Sequence, residues 1–389
     1  MRILLLGEYS NVHATLARGL RTLGHEVTVV SNGDFWKDYP RDIDVSRHPG
    51  KSGGLRLLLR IYCLLPRLRG YDVVQLINPI FFELKAERLF PIYRYLRRHN
   101  RSMVLCAMGM DYYWVSECTF KKPMRYSDFN IGTETRTDPP AVKEQRDWLG
   151  TKKERLNKLI AQDCDGIVAG LYDDYICYQP YFDQKLRFIP LPIENKELSM
   201  KNEECATALP SAPADSSSFI LHSPLKIFIG ISRGRSQYKG TDIMLRAAED
   251  VQRKYPDKMQ LVKVEGVPFA EYQRLLDGSD AILDQLYSYT PSMNSLLAMS
   301  KGIICIGGGE PENYEIIHEN ELRPIINVEP SYESVYHAVE QLVIHPERIA
   351  ELKRQSIEYV CRHHDHLKVA RQYETFYASL NDNWPRFAK

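Results

Sequence analysis

Three short stretches combine residue types that could handle a charged ligand. The first, Ser232-Arg233-Gly234-Arg235-Ser236-Gln237-Tyr238-Lys239-Gly240, sets two arginines and a lysine between an apolar run and an amphipathic segment. Guanidinium groups grip phosphate oxygens in pairs and an ammonium acts as a point charge, so these cations suit a diphosphate. The second runs from Asp284 to Asn294, where Ser292 stands as a helix N-cap and the backbone N–H groups of Met293 and Asn294 would face outward. The third is Gly307-Gly308-Gly309-Glu310, three glycines that allow close backbone approach, followed by a carboxylate able to hold a sugar or ribose hydroxyl. Near the N-terminus, Gly7-Glu8-Tyr9-Ser10-Asn11-Val12-His13 forms a comparable loop, with His13 at a helix start.

The elements that must position these loops follow from periodicity. Ile3 to Leu6 is a buried strand, Leu16, Leu20 and Leu23 recur at helical spacing, and Val27 to Val30 supplies a second strand, which makes a β-α-β unit. Further strands are predicted at Val73–Ile77, Met103–Cys106 and Gly166–Ala169. The pattern restarts at Leu225–Gly230, with a helix over Thr241–Tyr255 and strands at Gln260–Val262, Ala281–Leu283 and Gly302–Ile306. Two α/β domains, each a Rossmann-like doubly wound parallel sheet, are expected to face a central cleft, where strand carboxyl ends and helix N-termini favour phosphate.

The 389 residues suffice for two domains. The boundaries are read as an N-terminal domain over 1–198, an Ala/Pro/Ser-rich linker or surface excursion over 199–224, a second domain over 225–365 and a helical tail over 366–389 that caps the second domain or crosses back to the first. Residues 114–148, polar and carrying Pro139-Pro140, are expected to form a loop that shapes an entrance.

Composition narrows the class. Fifty-one Lys/Arg against 50 Asp/Glu leave a net charge of +1, which argues against a dedicated nucleic-acid binder. Eight cysteines without a C-x-x-C pair read as reduced thiols, and no apolar run nears the ~20 residues of a membrane span. A cytoplasmic protein is expected. Between Arg47 and Arg101, however, twelve Lys/Arg face three acids, a net of +9, with leucines interleaved from Leu55 to Leu65. Such a surface fits peripheral contact with an anionic membrane, or else solvated helices. His363-His364-Asp365-His366 reads as a solvated helix face and Asp173-Asp174 as capping charges rather than metal ligands. No P-loop and no G-x-G-x-x-G after the first strand is present, which counts against a nicotinamide or flavin enzyme.

The layout resembles the GT-B glycosyltransferases, and the second half is similar to glycosyltransferase family 4. The similarity rests on Gly230 to Arg233, Lys239-Gly240, Asp284-Gln285-Leu286, Ala298 to Gly302 and Gly307 to Glu312, with Tyr71 to Leu76, Gly109-Met110-Asp111 and Phe188 to Ile193 in the first half. The resemblance implies transfer of a sugar from a nucleotide-diphosphate donor to a hydroxyl acceptor, a glycan or lipid-linked saccharide as in polysaccharide biosynthesis, with retention and without metal or other cofactor. Arg233, Lys239 and Asp111 take the catalytic positions. Donor contacts fall on Gly7, Ser10, Asn11, Gly230, Arg235, Gly240, Glu265, Tyr289, Ser292, Met293, Asn294, Gly308, Gly309 and Glu310, and acceptor contacts on Glu8 and His13. The chain departs from the family where paired glutamates become Tyr289 and Leu297 and where a histidine becomes Met108; Glu310, Glu312 or Asn294 are the substitutes. These departures leave two alternatives, a binding protein of the same fold without catalysis and a nucleotide-sugar epimerase.

Overall fold

A computed structural model describes residues 1–194, 224–231, 234 and 236–382. The linker read at 199–224, except Pro224, and Ser232, Arg233 and Arg235 of the cationic loop lie outside the described residues. The chain divides into two compact units. One comprises Met1–Arg125, Gly132–Pro192 and the segment from His366; the other comprises Tyr126–Ile131 and Ile193–Asp365.

In the first unit the strands are β1 (Arg2–Leu6), β2 (Glu26–Ser31), β3 (Ile43–Asp44), β4 (Val73–Leu76), β5 (Ser102–Ala107), the short β6 (Asn130–Ile131, grouped with the second unit) and β7 (Glu134–Thr135), then β8 (Gly166–Ala169) and β9 (Leu186–Phe188). The main sheet has the order β3-β2-β1-β4-β5-β8-β9, with every pair parallel. Its strands are apolar throughout because both faces are covered: Ile3, Leu4, Leu5 and Leu6 are all fully buried. Leu4 and Leu6 share one core with Leu57, Ile61 and Leu64 of α2 (Gly53–Leu64), with Leu89, Ile92 and Leu96 of α3 (Ala86–His99) and with Leu156 and Ile160 of α6 (Lys152–Asp163).

The helix α1 (Val12–Thr22) packs against the C-terminal helix His366–Asp382. A Cβ on Gly19 would stand 2.6 Å from the His366 carbonyl and 2.7 Å from the Ala370 Cβ, so glycine there is what lets the two helices touch. The tail is thus part of the first unit. The stretch read as a loop over 114–148 holds more structure than expected: α4 (Tyr112–Ser116), a wide helical turn over Glu117–Lys121 and α5 (Pro139–Trp148). Pro139-Pro140 opens α5 instead of breaking it, because proline at the first helical positions lacks only an N–H that would go unpaired, and the Asp138 side chain caps Ala141 N at 3.3 Å. Helix α7 (Tyr172–Phe182) carries Asp173 and Asp174 in its first turn, as their capping role requires.

The second unit has β10 (Leu225–Ile231), the turn Ser236–Lys239, α8 (Thr241–Lys254), β11 (Met259–Glu265), α9 (Phe269–Asp277), β12 (Ala281–Leu283), α10 (Met293–Met299), β13 (Ile304–Ile306), α11 (Pro311–Ile316), α12 (Tyr332–Ile344) and α13 (Ile349–His363); the tail helix is α14. Its strands are parallel in the order β11-β10-β12-β13. Ile227 and Ile229 of β10 pack with Met244, Ala248 and Val251 of α8 and with Val335 and Val339 of α12. Both units are Rossmann-like, as expected from the repeated strand-helix pattern.

Candidate functional site

In a doubly wound sheet, ligands lodge beyond the strand carboxyl ends where the strand order reverses. That point lies between β10 and β12 in the second unit and between β1 and β4 in the first. Three of the loops singled out by sequence leave β1, β10 and β12 at these points, and the glycine run leaves the neighbouring β13.

In the second unit three loops interlock. Lys239, half-buried at the end of its turn, accepts the Leu286 N–H on its carbonyl at 2.9 Å. Gly240 has φ +71°, and a Cβ there would sit 2.6 Å from Leu286 Cβ. Gly307 backs onto the Gln285 carbonyl, Gly308 (φ +73°) onto the Thr290 carbonyl at 2.6 Å, and Gly309 onto Ile325. The glycine run therefore fits one loop against the next. The Gly307 N–H goes to the Ile326 carbonyl and the Gly309 N–H to Asn327 Oδ1, so the run also has a packing role.

Ser292 is the N-cap of α10, as its position predicted: its hydroxyl accepts from Ser295 N and donates to Asp284 Oδ1 at 2.8 Å, while its own N–H goes to Asp284 Oδ2. Asn294 donates to the Tyr272 hydroxyl at 2.8 Å, and Gly230 leaves room for that same tyrosine ring, 2.8 Å from where a Cβ would be. Gly230 is thus a packing glycine. Met293 is half-buried beside Asn294, and Glu265 is exposed at the end of β11. Tyr289, 1% exposed, is a core residue whose ring lies 4.8 Å from Tyr126, and its carbonyl accepts from Glu310 N. Glu310 is buried, and its carboxylate accepts the Tyr126 hydroxyl at 2.5 Å. Tyr238 likewise donates to Asp128 at 2.5 Å.

In the first unit the carboxyl ends of β1, β2 and β4 enclose a cavity of about 130 Å³. Its walls are mostly apolar, with Ile77, Ile80, Phe81 and Phe82 among them, and Glu8, Asn32 and Glu83 supply the polar groups. Gly7, at φ +83°, must lack a side chain because a Cβ would meet Ile77 Cγ2 at 2.4 Å. Glu8 is 2% exposed and caps α1 from a distance: Oε1 accepts His13 N at 3.2 Å and Oε2 accepts Ala14 N at 2.8 Å. Burial nonetheless outweighs these two bonds and pushes its carboxyl up to about 8, so it carries a proton at neutral pH.

His13 is fully buried and does not reach a ligand surface. Burial lowers its pKa to about 4, so the ring is neutral. Its Nδ1 lies 2.8 Å from the Gly7 carbonyl, an acceptor only, so Nδ1 holds the proton and Nε2 accepts from Gln75 at 3.2 Å; Gln75 in turn accepts the Tyr377 hydroxyl at 2.6 Å. This chain ties β1, α1, β4 and α14 together. Asp111 is also internal: it caps α4 through Trp114 N at 2.9 Å and accepts the Tyr178 hydroxyl at 2.5 Å. Burial raises its pKa to about 6. Each Asp111 oxygen thus holds one protein donor, which orients the carboxyl at the start of α4. Ser10 donates its N–H to Asp34 at 2.9 Å, and Asn11 opens α1 in the left-handed conformation at φ 71°.

Several contributors were missed by sequence reasoning. Asn78 spans the β4 and β5 loops, donating to the Met108 and Met110 carbonyls at 2.8 and 3.2 Å. Tyr126 and Asp128 meet residues more than a hundred positions away, a relationship no local pattern encodes. The histidine tract, expected to be a solvated helix face, is instead packed inward at the junction of two helices: His364 and His366 are buried, and His363 pairs with Glu319 at 2.6 Å.

No protein-family model matches the chain, and no curated protein matches its sequence. Solved structures do match. Sucrose-phosphate synthase from Thermosynechococcus elongatus aligns with 99% of this chain and 100% of its own at 13% identity and a TM-score of 0.60. HepE from Anabaena, in complex with UDP and glucose, covers 97% of this chain and 100% of its own at 11% identity and 0.56. UDP-GlcNAc 2-epimerase from Neisseria meningitidis, bound to UDP-GlcNAc, covers 98% of this chain and 100% of its own at 13% and 0.53. At such identities the likeness is one of fold, and the fold is the two-domain, Rossmann-like GT-B type.

Proposed function

We propose that the protein is a glycosyltransferase that moves a sugar from a nucleoside-diphosphate sugar, held by the second unit, to a hydroxyl of a glycan or lipid-linked saccharide held by the first, in the manner of glycosyltransferase family 4. The observation that carries this reading is the coincidence of each sheet's reversal point with a chemically suited loop set. Lys239, the last cation of its loop, lies beside the Asp284–Ser292 loop in one unit, and a cavity lined in part by Glu8 lies in the other.

The bond between the sugar's anomeric carbon and the diphosphate oxygen breaks as the acceptor oxygen bonds to that carbon. Negative charge grows on the departing diphosphate. Lys239, with Arg233 and Arg235 of the same sequence motif, neutralises it, so no resident metal is invoked. In this reading Glu310, bonded to Tyr126, and Asn294, bonded to Tyr272, hold sugar or ribose hydroxyls. Glu8, protonated at neutral pH, has a hydrogen to offer an acceptor oxygen in the cavity. Asp111 acts by holding α4.

The epimerase likeness supports a second reading, in which the same donor site isomerises the sugar with no acceptor. One incubation separates the two. Purified protein is mixed with UDP-, GDP- and ADP-sugars, with and without acceptor saccharides, and products are followed by NMR. A transferase releases nucleoside diphosphate and forms a glycosidic bond only with acceptor present. An epimerase changes the sugar without acceptor and leaves the nucleotide linkage intact at equilibrium.

A further inference from the structure

One acid-free basic stretch of the chain forms a helix whose outward face is apolar. From Lys51 to Tyr71 there are five Lys/Arg (51, 56, 60, 67 and 69) and no Asp or Glu. Helix α2 occupies most of this stretch and its orientation is fixed, since Leu57, Ile61 and Leu64 enter the core beneath it. The seven-residue spacing that buries those three turns Leu55, Leu59 and Tyr62 outward, and they are 62%, 58% and 45% exposed. Arg56 and Arg60 stand beside this stripe and are exposed; Arg60 has only a long, 3.7 Å approach to Asp44, and Arg56 has no ion pair among the described residues. The adjoining helix α3, which packs on the same core, adds exposed Arg94 and Arg98. Arg97 does not join them, because Asp165 holds it at 2.6 Å.

Single exposed leucines need no explanation, but two leucines and a tyrosine aligned on one helix face beside exposed arginines do. We propose that this face of α2 rests on an anionic lipid surface, with Leu55, Leu59 and Tyr62 entering the headgroup boundary and Arg56, Arg60 and Arg67 meeting lipid phosphates. The charge pattern selects this occupant over a second copy of the chain, because a symmetric pairing of the face with itself would bring arginines against arginines. It also selects lipid over nucleic acid, whose phosphate backbone offers nothing to protruding leucines. The inference does not depend on the sugar-transfer reading.

The test is flotation of the full-length protein with vesicles of phosphatidylcholine alone and of phosphatidylcholine mixed with phosphatidylglycerol. Two variants are compared with wild type, Leu55→Gln/Leu59→Gln and Arg56→Gln/Arg60→Gln. All four positions are exposed, so melting curves should overlay that of wild type and exclude misfolding. Wild type is expected to float with phosphatidylglycerol vesicles and far less with neutral ones. The arginine pair should lower partitioning roughly 30-fold, at about 5-fold per charge, and the leucine pair roughly 10-fold or more. Absence of binding to phosphatidylglycerol vesicles would overturn the proposal, as would binding indifferent to the leucine pair. A leucine pair that changes the sedimentation mass without changing flotation would instead mark the face as a contact between copies of the chain and would also overturn it.

Discussion

The Tyr126 hydroxyl donates to the Glu310 carboxylate at 2.5 Å, joining residues 184 positions apart within the second unit. Tyr126 also lays its ring against Tyr289, whose carbonyl receives the Glu310 N–H. One phenol thereby fixes the carboxylate that follows the glycine run. A buried carboxylate that loses a donor keeps its desolvation cost, so Tyr126→Phe should destabilise the protein by about 2 kcal/mol in urea unfolding. Glu310→Gln, whose amide oxygen still accepts the phenol, should cost less. Equal stability of Tyr126→Phe and wild type would show that this bond carries nothing.

The glycine run is expected to matter through fit. Gly308→Ala forces a side chain into a left-handed backbone and sets its Cβ 2.6 Å from the Thr290 carbonyl, so a loss of more than about 2 kcal/mol is predicted. Gly234→Ala has a comparable φ of +72° and nothing within 4 Å, and should cost only about 1 kcal/mol. Equal losses in thermal or urea unfolding would mean that loop packing is irrelevant at Gly308.

His13 provides a pH signature. Its pKa is lowered to about 4 from an unperturbed 6.5, so its contribution is fully present above pH 6.5 and is lost as pH falls toward 4, while the unfolded chain gains a proton that the folded ring refuses. The loss amounts to roughly 3 kcal/mol across that window. In nitrogen NMR the ring should hold the Nδ1–H neutral form down to pH 5. Titration near 6.5 would contradict its place in the core.

Glu8 acts in the opposite sense. Its pKa is raised to about 8 from 4.5, so stability is greatest below pH 4.5 and declines as pH rises to about 8, where the folded state must finally ionise a buried carboxyl. Glu8→Gln should remove that decline. Relative to wild type it should gain stability between pH 4.5 and 8, by roughly 5 kcal/mol at the upper end. Parallel stability curves over this range would refute the protonated carboxyl.

Much of the frame was legible in local pattern. Ile3 to Leu6, Met103 to Cys106 and Ile304 to Ile306 are continuous apolar runs because parallel strands are covered on both faces, and periodicity reads burial directly. Ser292 was legible as a cap because an N-cap is defined by its immediate neighbours. The site was less so. Glu8 reaches into the first turn of α1 from four positions before it, His13 turns inward to Gln75 and Tyr377, and Asp111 is closed off by Tyr178. The partners of His13 and Asp111 lie on elements distant in sequence, and residue type alone reads a buried network and an open site alike.

The most direct test of the donor site is calorimetry of UDP, GDP, ADP and CMP and their common sugar conjugates, without added metal, on wild type and on the Arg233→Ala/Lys239→Ala variant. One nucleoside diphosphate should bind wild type, and the variant should bind it roughly 10- to 100-fold more weakly, two charge-assisted contacts having been removed. Binding by none of them, or equal binding by the variant, would contradict the assignment of the second unit as the nucleotide-sugar domain and of its cationic loop as the diphosphate site.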